Sequence, residues 1–94
     1  MLLKKNQVPW MLFKLFANHV VIYVRNNDRL IIHNTLKGIE ERLPPQKFMR
    51  IHNSFIVNME KVTGIEGMDI LIEKKSIPIS KKYWNPLKQK LKIF

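Results

Sequence analysis

Ninety-four residues, 46% of them hydrophobic, suffice for one small folded domain and are too apolar for a disordered chain. The chain has no cysteine, which excludes disulfides, thiol catalysis and cysteine-based zinc sites together. Seventeen Lys and Arg against seven Asp and Glu give a net charge of +10, and a compact domain carrying such a field calls for a polyanionic partner: DNA, RNA or an acidic membrane.

The longest apolar stretch, Val8 to Phe16, is interrupted by Pro9 and Lys14. It falls well short of the roughly 20 apolar residues that span a bilayer. No small-residue cleavage site follows the Lys4-Lys5 pair, so neither a secretory signal nor a membrane partner is expected, and the location expected is cytoplasmic. Trp10 to Phe16 reads as a first strand entered through Pro9, although seven residues also fit a turn and a half of helix. Val20 to Val24 and Leu30 to Ile32 are β-branched or bulky, with Asn26-Asn27-Asp28 between them. Asn and Asp tolerate left-handed backbone angles, so this pattern predicts a hairpin.

A short helix follows, capped by Asn34 or Thr35, with Leu36, Ile39, Glu40 and Leu43 on one buried face and Pro44-Pro45 as its stop. Phe48 to Met59 reads as two short strands around a polar tip at His52 to Ser54. Val62 to Ile65 and Ile70 to Glu73 predict another hairpin turning at Gly67-Met68-Asp69, and Ile77-Pro78-Ile79 an edge strand, where a missing N–H is tolerated. Ser80 is a good N-cap for a basic C-terminal helix that either restarts or kinks at Pro86. The expected core comprises Val20, Ile22, Val24, Leu30, Ile32, Leu36, Ile39, Leu43, Phe48, Phe55, Ile56 and Val57. His33 and Trp84 are expected to be packed or surface residues, and no exposed apolar patch is evident.

No catalytic constellation emerges. Glu40 and Glu41 diverge on a helix, His19, His33 and His52 lack HxxxH or HxH spacing, and Ser54 with His52 has no third group. The three glycines match no phosphate loop. The chain is therefore read as a non-enzyme without cofactor or metal. Among nucleic-acid readers, a zinc finger needs Cys, a helix-turn-helix needs three helices, and an RNA-binding sheet needs a clustered aromatic stretch that is missing here. What remains is a β scaffold presenting polar tips: His19, the run Arg50 to Ser54, and Lys81-Lys82.

At those tips the sequence resembles the LytTR DNA-binding domains of bacterial transcription regulators. Phe48-Met49-Arg50-Ile51-His52-Asn53-Ser54-Phe55-Ile56-Val57-Asn58 is similar to the signature F-x-R-x-H-[RN]-S-[YF]-[IV]-V-N. Thr35 to Leu43 resembles T-L-K-x-[LI]-E-E-x-L, and Ile79-Ser80-Lys81-Lys82-Tyr83 resembles V-S-R-R-Y. The three blocks occur in the family's order, and the likeness covers about residues 17 to 92.

The resemblance implies a mainly β fold of elongated antiparallel sheets, with one short internal helix and a C-terminal helix. Residues 1–94 would form a single domain, and the register of residues 1–16 is not fixed by the resemblance. It implies sequence-specific binding of double-stranded DNA by loops in the major groove, with base contacts from His19, Asn53 and Lys81. Phosphate contacts would come from His52 and Ser54; read from the residues themselves, by charge and place, Arg50 and Lys82 are added to them. It further implies an output domain behind a receiver domain in a two-component system, monomeric when free and paired on direct repeats.

Three positions depart from the family pattern. Asn53 stands where many members carry Arg, pointing from guanine-style toward adenine-style readout. Lys81-Lys82 replaces an Arg pair, giving point charges for planar forks. Pro9 to Phe16 lacks the family's acidic opening, roughly D-I-x-Y-I-E.

Each contact also has a plain structural alternative. His19 could simply begin a strand, and Asn53 and Ser54 could close their own turn. Arg50 is either a phosphate contact or a partner of Glu60, and the lysines could form a solvated helix face. The rival functions are a basic protein- or membrane-surface-binding module, with Trp10 to Phe16 as its contact surface, and a non-specific nucleic-acid coat.

Overall fold

The computed structural model describes residues 10–24 and 28–91. The described residues form eight strands and two helices. They are β1 (Trp10–Phe16), β2 (His19–Val24), β3 (Arg29–Ile32), α1 (Leu36–Glu40), β4 (Phe48–His52), β5 (Phe55–Asn58), β6 (Val62–Glu66), β7 (Asp69–Ile72), β8 (Lys75–Pro78) and α2 (Lys81–Leu91). A 3₁₀ turn, Met59–Lys61, joins β5 to β6. The strands build a five-stranded antiparallel sheet in the order β3-β2-β1-β5-β4 and a three-stranded one in the order β6-β7-β8. The described residues measure 38 × 28 × 24 Å.

Trp10 to Phe16 is a strand, and its position explains the unbroken hydrophobicity of its first four residues. As the middle strand, β1 has both faces covered, so Met11, Leu12 and Phe13 are all buried. Two clusters divide the core. Phe13, Val20, Ile22, Phe48 and Ile56 meet Leu36 and Ile39 of α1 on one face. Met11, Leu12, Ile51 and Val57 meet Ile70, Ile72 and Ile77 of the smaller sheet, and Ile79 and Leu87, on the other. Each such side chain contributes about 1.5–3 kcal/mol of transfer free energy. Trp10, Phe13 and Phe48 stack edge-to-face at 5.6 and 5.8 Å.

Asn58 is the buried polar exception, at 2% exposure. Its Nδ2 donates to the Trp10 carbonyl and its Oδ1 accepts from the Glu60 N–H, both at 2.9 Å. Both ends of the amide are thereby satisfied, and one of them caps the 3₁₀ turn.

The β2–β3 pairing matches expectation, although Asn26 and Asn27 of its turn lie outside the described residues. Leu30, expected in the core, is 38% exposed because β3 is an edge strand. Val24, Ile32, Leu43 and Phe55 are half-buried around the clusters. Two large apolar side chains are exposed, Phe16 at 57% and Ile31 at 63%.

Thr35 caps α1 by accepting from the Gly38 N–H at 2.9 Å. A Cβ on Gly38 would stand 2.7 Å from Asn34 Oδ1, so a larger residue here would have to displace the Asn34 side chain. The helix stops at Glu40, short of the Pro44-Pro45 stop, and Arg42 and Leu43 continue only as tighter bonds to Ile39 and Glu40. Glu40, expected on the buried face, is exposed. The β6–β7 hairpin turns through Gly67 at φ 62°, and Pro78 lies on the edge strand β8.

The C-terminal segment is one helix containing Pro86, which cannot donate to the Lys82 carbonyl. Fully buried Leu87 anchors the helix against the smaller sheet and β4. Ser80 does not cap it: the hydroxyl is buried without a hydrogen-bond partner among the described residues, while the Ser80 carbonyl accepts from the Tyr83 N–H at 3.0 Å.

Candidate nucleic-acid interface

Strand register decides which turns share an edge of the molecule. Phe16 pairs with His19 at the end of the β1–β2 hairpin, Lys14 with Phe55, and Phe55 with His52. The Leu15 N–H donates to the Ser54 carbonyl at 2.8 Å. The turns at residues 17–18 and 53–54 therefore lie at the same end of the large sheet. The start of α2 joins them through the Ser80 N–H, which donates to the Ile51 carbonyl at 3.0 Å. His19, Asn53 and Lys81, 62 positions apart from first to last, thus come from three elements meeting at one end.

His19 is the first residue of β2, half-buried and directly after Ala17-Asn18. Ala17 has φ 58°. That left-handed conformation costs a non-glycine residue about 1–2 kcal/mol, a strain held by the hairpin on either side. Asn53 is exposed at the tip of β4–β5. Its carbonyl accepts from one terminal nitrogen of Arg50 at 2.8 Å.

The Arg50 guanidinium braces this tip three ways. Nε donates to the His52 carbonyl at 2.9 Å, one terminal nitrogen to Asn53, and the other to Glu40 of α1 at 3.3 Å. Its carboxylate partner is therefore Glu40 and not Glu60. Three of five guanidinium N–H groups are engaged, leaving two.

His52 is fixed from the other side. The Ser54 N–H donates to His52 Nδ1 at 3.0 Å, and the ring packs edge-on against Phe55 at 5.4 Å. An accepting Nδ1 puts the proton of the neutral imidazole on Nε2, where it can donate to a phosphate oxygen. Ser54 serves the turn through its backbone.

Lys81 and Lys82 are exposed in the first turn of α2, with Lys82 Nζ 5.3 Å from the Tyr83 ring centre. Lys90 reaches back to the Pro45 carbonyl. A cleft of about 440 Å³ between the β1–β2 turn and α1 adds Asn18, Asn34 and Lys37 to the same end.

Two residues that the sequence reading did not place at this end lie there. Lys37 lies on the outward face of α1 and reads as ordinary helix surface. His33 is exposed and sits beside His19, with ring centres 6.2 Å apart. Only knowledge of the β2–β3 register could have revealed that pair. Among the described residues, no group of three or more His, Asp or Glu side chains converges, and no helix is long and apolar enough to cross a membrane.

Comparison with known proteins bears on this arrangement. The family model of the LytTr DNA-binding domain matches residues 4–92. The sensory transduction protein LytT of Bacillus anthracis is 36% identical over 72 residues, covering 70% of this chain and 29% of that protein. An uncharacterized response regulatory protein of Yersinia pestis is 35% identical over 98 residues, covering 98% of this chain and 39% of that protein. This chain therefore spans between a quarter and two-fifths of the length of these relatives. The LytTr DNA-binding domain of a Bacillus cereus response regulator superposes with a TM-score of 0.79 at 20% identity, over 88% of this chain and 81% of that one, a likeness of fold. With the family model spanning nearly the whole chain and the fold agreeing, the chain belongs to the LytTR family of DNA-binding domains.

Proposed function

We propose that this chain reads double-stranded DNA in a sequence-specific manner, as the output unit of a transcription regulator, by setting three tips into the major groove. The observation that carries this reading is the bond from Ser80 to Ile51. It joins the basic start of α2 to the polar β4–β5 tip at the end of the sheet where the β1–β2 turn also lies. His19, Asn53 and Lys81 are the base readers in this scheme. His52, through Nε2, Ser54 and Lys82 hold phosphate, as do the two N–H groups of Arg50 not spent on the brace.

Affinity comes from the +10 charge through counterion release and falls steeply with salt, while the base readers discriminate by about 1–3 kcal/mol each when well placed. The chain acts as a single DNA-binding unit. The greater length of the relatives fits a preceding receiver domain in the parent protein, with free monomers that pair on direct repeats.

Fluorescence anisotropy on a duplex of about 25 base pairs enriched from genomic fragments tests this, with scrambled competitor in excess and salt varied. Binding that survives the competitor, with a salt slope of several units, supports the reading. Binding that scrambled duplex abolishes reduces the chain to a non-specific coat. Exposed Phe16 and Ile31 give the surface-module alternative its one specific support. Binding to anionic vesicles without binding to duplex would establish that alternative instead.

A further inference from the structure

His33 lies just beyond the end of β3, beside His19 at the start of β2. The β2–β3 ladder pairs Val20 with Ile32, and one step further outward brings residue 19 opposite residue 33. Directly opposed residues of an antiparallel pair project from the same face with Cβ atoms about 4.5–5.5 Å apart. The imidazole rings accordingly lie with centres 6.2 Å apart at 66°. His33 is exposed and His19 half-buried, so both rings can be approached from solvent. His19 also packs on Phe16 at 5.8 Å, which limits the rotation of its ring.

We propose that His19 and His33 form a two-imidazole chelate for a divalent transition-metal ion, and that occupying it withdraws His19 from DNA. Metal–nitrogen bonds of about 2.0–2.1 Å place two rings on a common ion with centres roughly 5–6.5 Å apart, so a small side-chain rotation suffices. Neutral imidazole suits Zn²⁺, Ni²⁺ and Cu²⁺, and affinity for such a site increases toward Cu²⁺. Water completes the coordination.

Lys14, whose Nζ lies 5.8 Å from the centre of the Phe16 ring that packs on His19, adds a positive charge that opposes the cation. The third histidine is not involved. His52 sits on β4, three strands from β2, with Nδ1 already accepting from Ser54. The metal site stands on the spacing of the two rings, whereas its effect on DNA rests on the proposed role of His19.

The two parts are tested separately. The 94-residue chain is titrated calorimetrically with ZnCl₂ and with NiCl₂, in the absence of DNA. A saturable one-to-one isotherm is expected that weakens at least about tenfold in both His19→Gln and His33→Gln and is unchanged in His52→Gln. Binding that persists in His33→Gln, or no saturable isotherm at all, overturns the site. Anisotropy on the selected duplex then compares the wild type with His33→Gln. Zinc should weaken duplex binding by the wild type, reversibly with EDTA, and leave His33→Gln unaffected. Equal weakening of both chains overturns the coupling to DNA. Failure of the metal-free chain to prefer its duplex refutes the DNA-reading function while leaving the calorimetric result intact.

Discussion

The Ser80 N–H donates to the Ile51 carbonyl at 3.0 Å, bridging two residues 29 positions apart in the chain. Ile51 precedes His52-Asn53, and Ser80 precedes Lys81. One backbone bond therefore sets the distance between two proposed base-reading elements that belong to different parts of the fold. Both anchor points are tightly held: Ile51 is fully buried in the cluster that also contains Ile79 and Leu87. Spacing between reading elements is thereby fixed by core packing before DNA arrives, which lowers the ordering cost of binding.

Ser80→Ala should leave thermal stability unchanged or raise it. A Ser at an N-cap normally contributes about 0.5–2 kcal/mol, and its loss would lower the melting temperature. Here the hydroxyl is buried without a partner among the described residues, a state that costs about 1–3 kcal/mol, and the useful groups are backbone. Thermal denaturation followed by circular dichroism decides this, and a clear drop in melting temperature would restore the capping role.

Arg50→Lys should erode site preference more than general affinity. Lysine keeps the charge but cannot reach the His52 carbonyl, the Asn53 carbonyl and Glu40 together. The Glu40 ion pair itself is half-exposed and worth less than about 1 kcal/mol, so Glu40→Gln should be mild. Competition binding against scrambled duplex separates the two, and an unaltered preference in Arg50→Lys would show the brace to be dispensable.

Asn53→Ala should relax base preference at one position by about 1–3 kcal/mol and leave non-specific binding nearly intact. The turn keeps its bonds from Arg50 to the Asn53 carbonyl and from Ser54 to His52, because neither uses the Asn53 side chain. A lowered melting temperature with unaltered site preference would make Asn53 a turn residue only.

Lys82→Ala should weaken binding to every duplex alike and reduce the salt slope by about one unit. The side chain is exposed beside Tyr83 and has no carboxylate partner among the described residues. A slope equal to that of the wild type would remove Lys82 from the phosphate contacts.

Much of this molecule was legible before any coordinates. The β-branched residues from Val20 to Val24 implied a strand, and the unbroken run Met11 to Phe13 fits one buried on both faces. Proline at position 78 implied an edge, where β8 lies. The signature from Phe48 to Asn58 pointed to the family, which a match over residues 4–92 bears out. These features are local: side-chain period, turn chemistry and a missing N–H act within a few residues of one another.

Other features depended on which strands became neighbours. The exposure of Leu30 follows from β3 lying at an edge, and nothing in Leu30 itself announces that. The partner of Arg50 is Glu40 because α1 packs over the face of the sheet from which Arg50 projects, although Glu60 is equally distant in sequence. His33 gains its importance only from the register that sets it opposite His19. Sequence by itself determined the residue types, their periods and the family they belong to. Tertiary structure alone decided the pairings, because contacts between distant segments are selected by the packing of the whole core and carry no local signal.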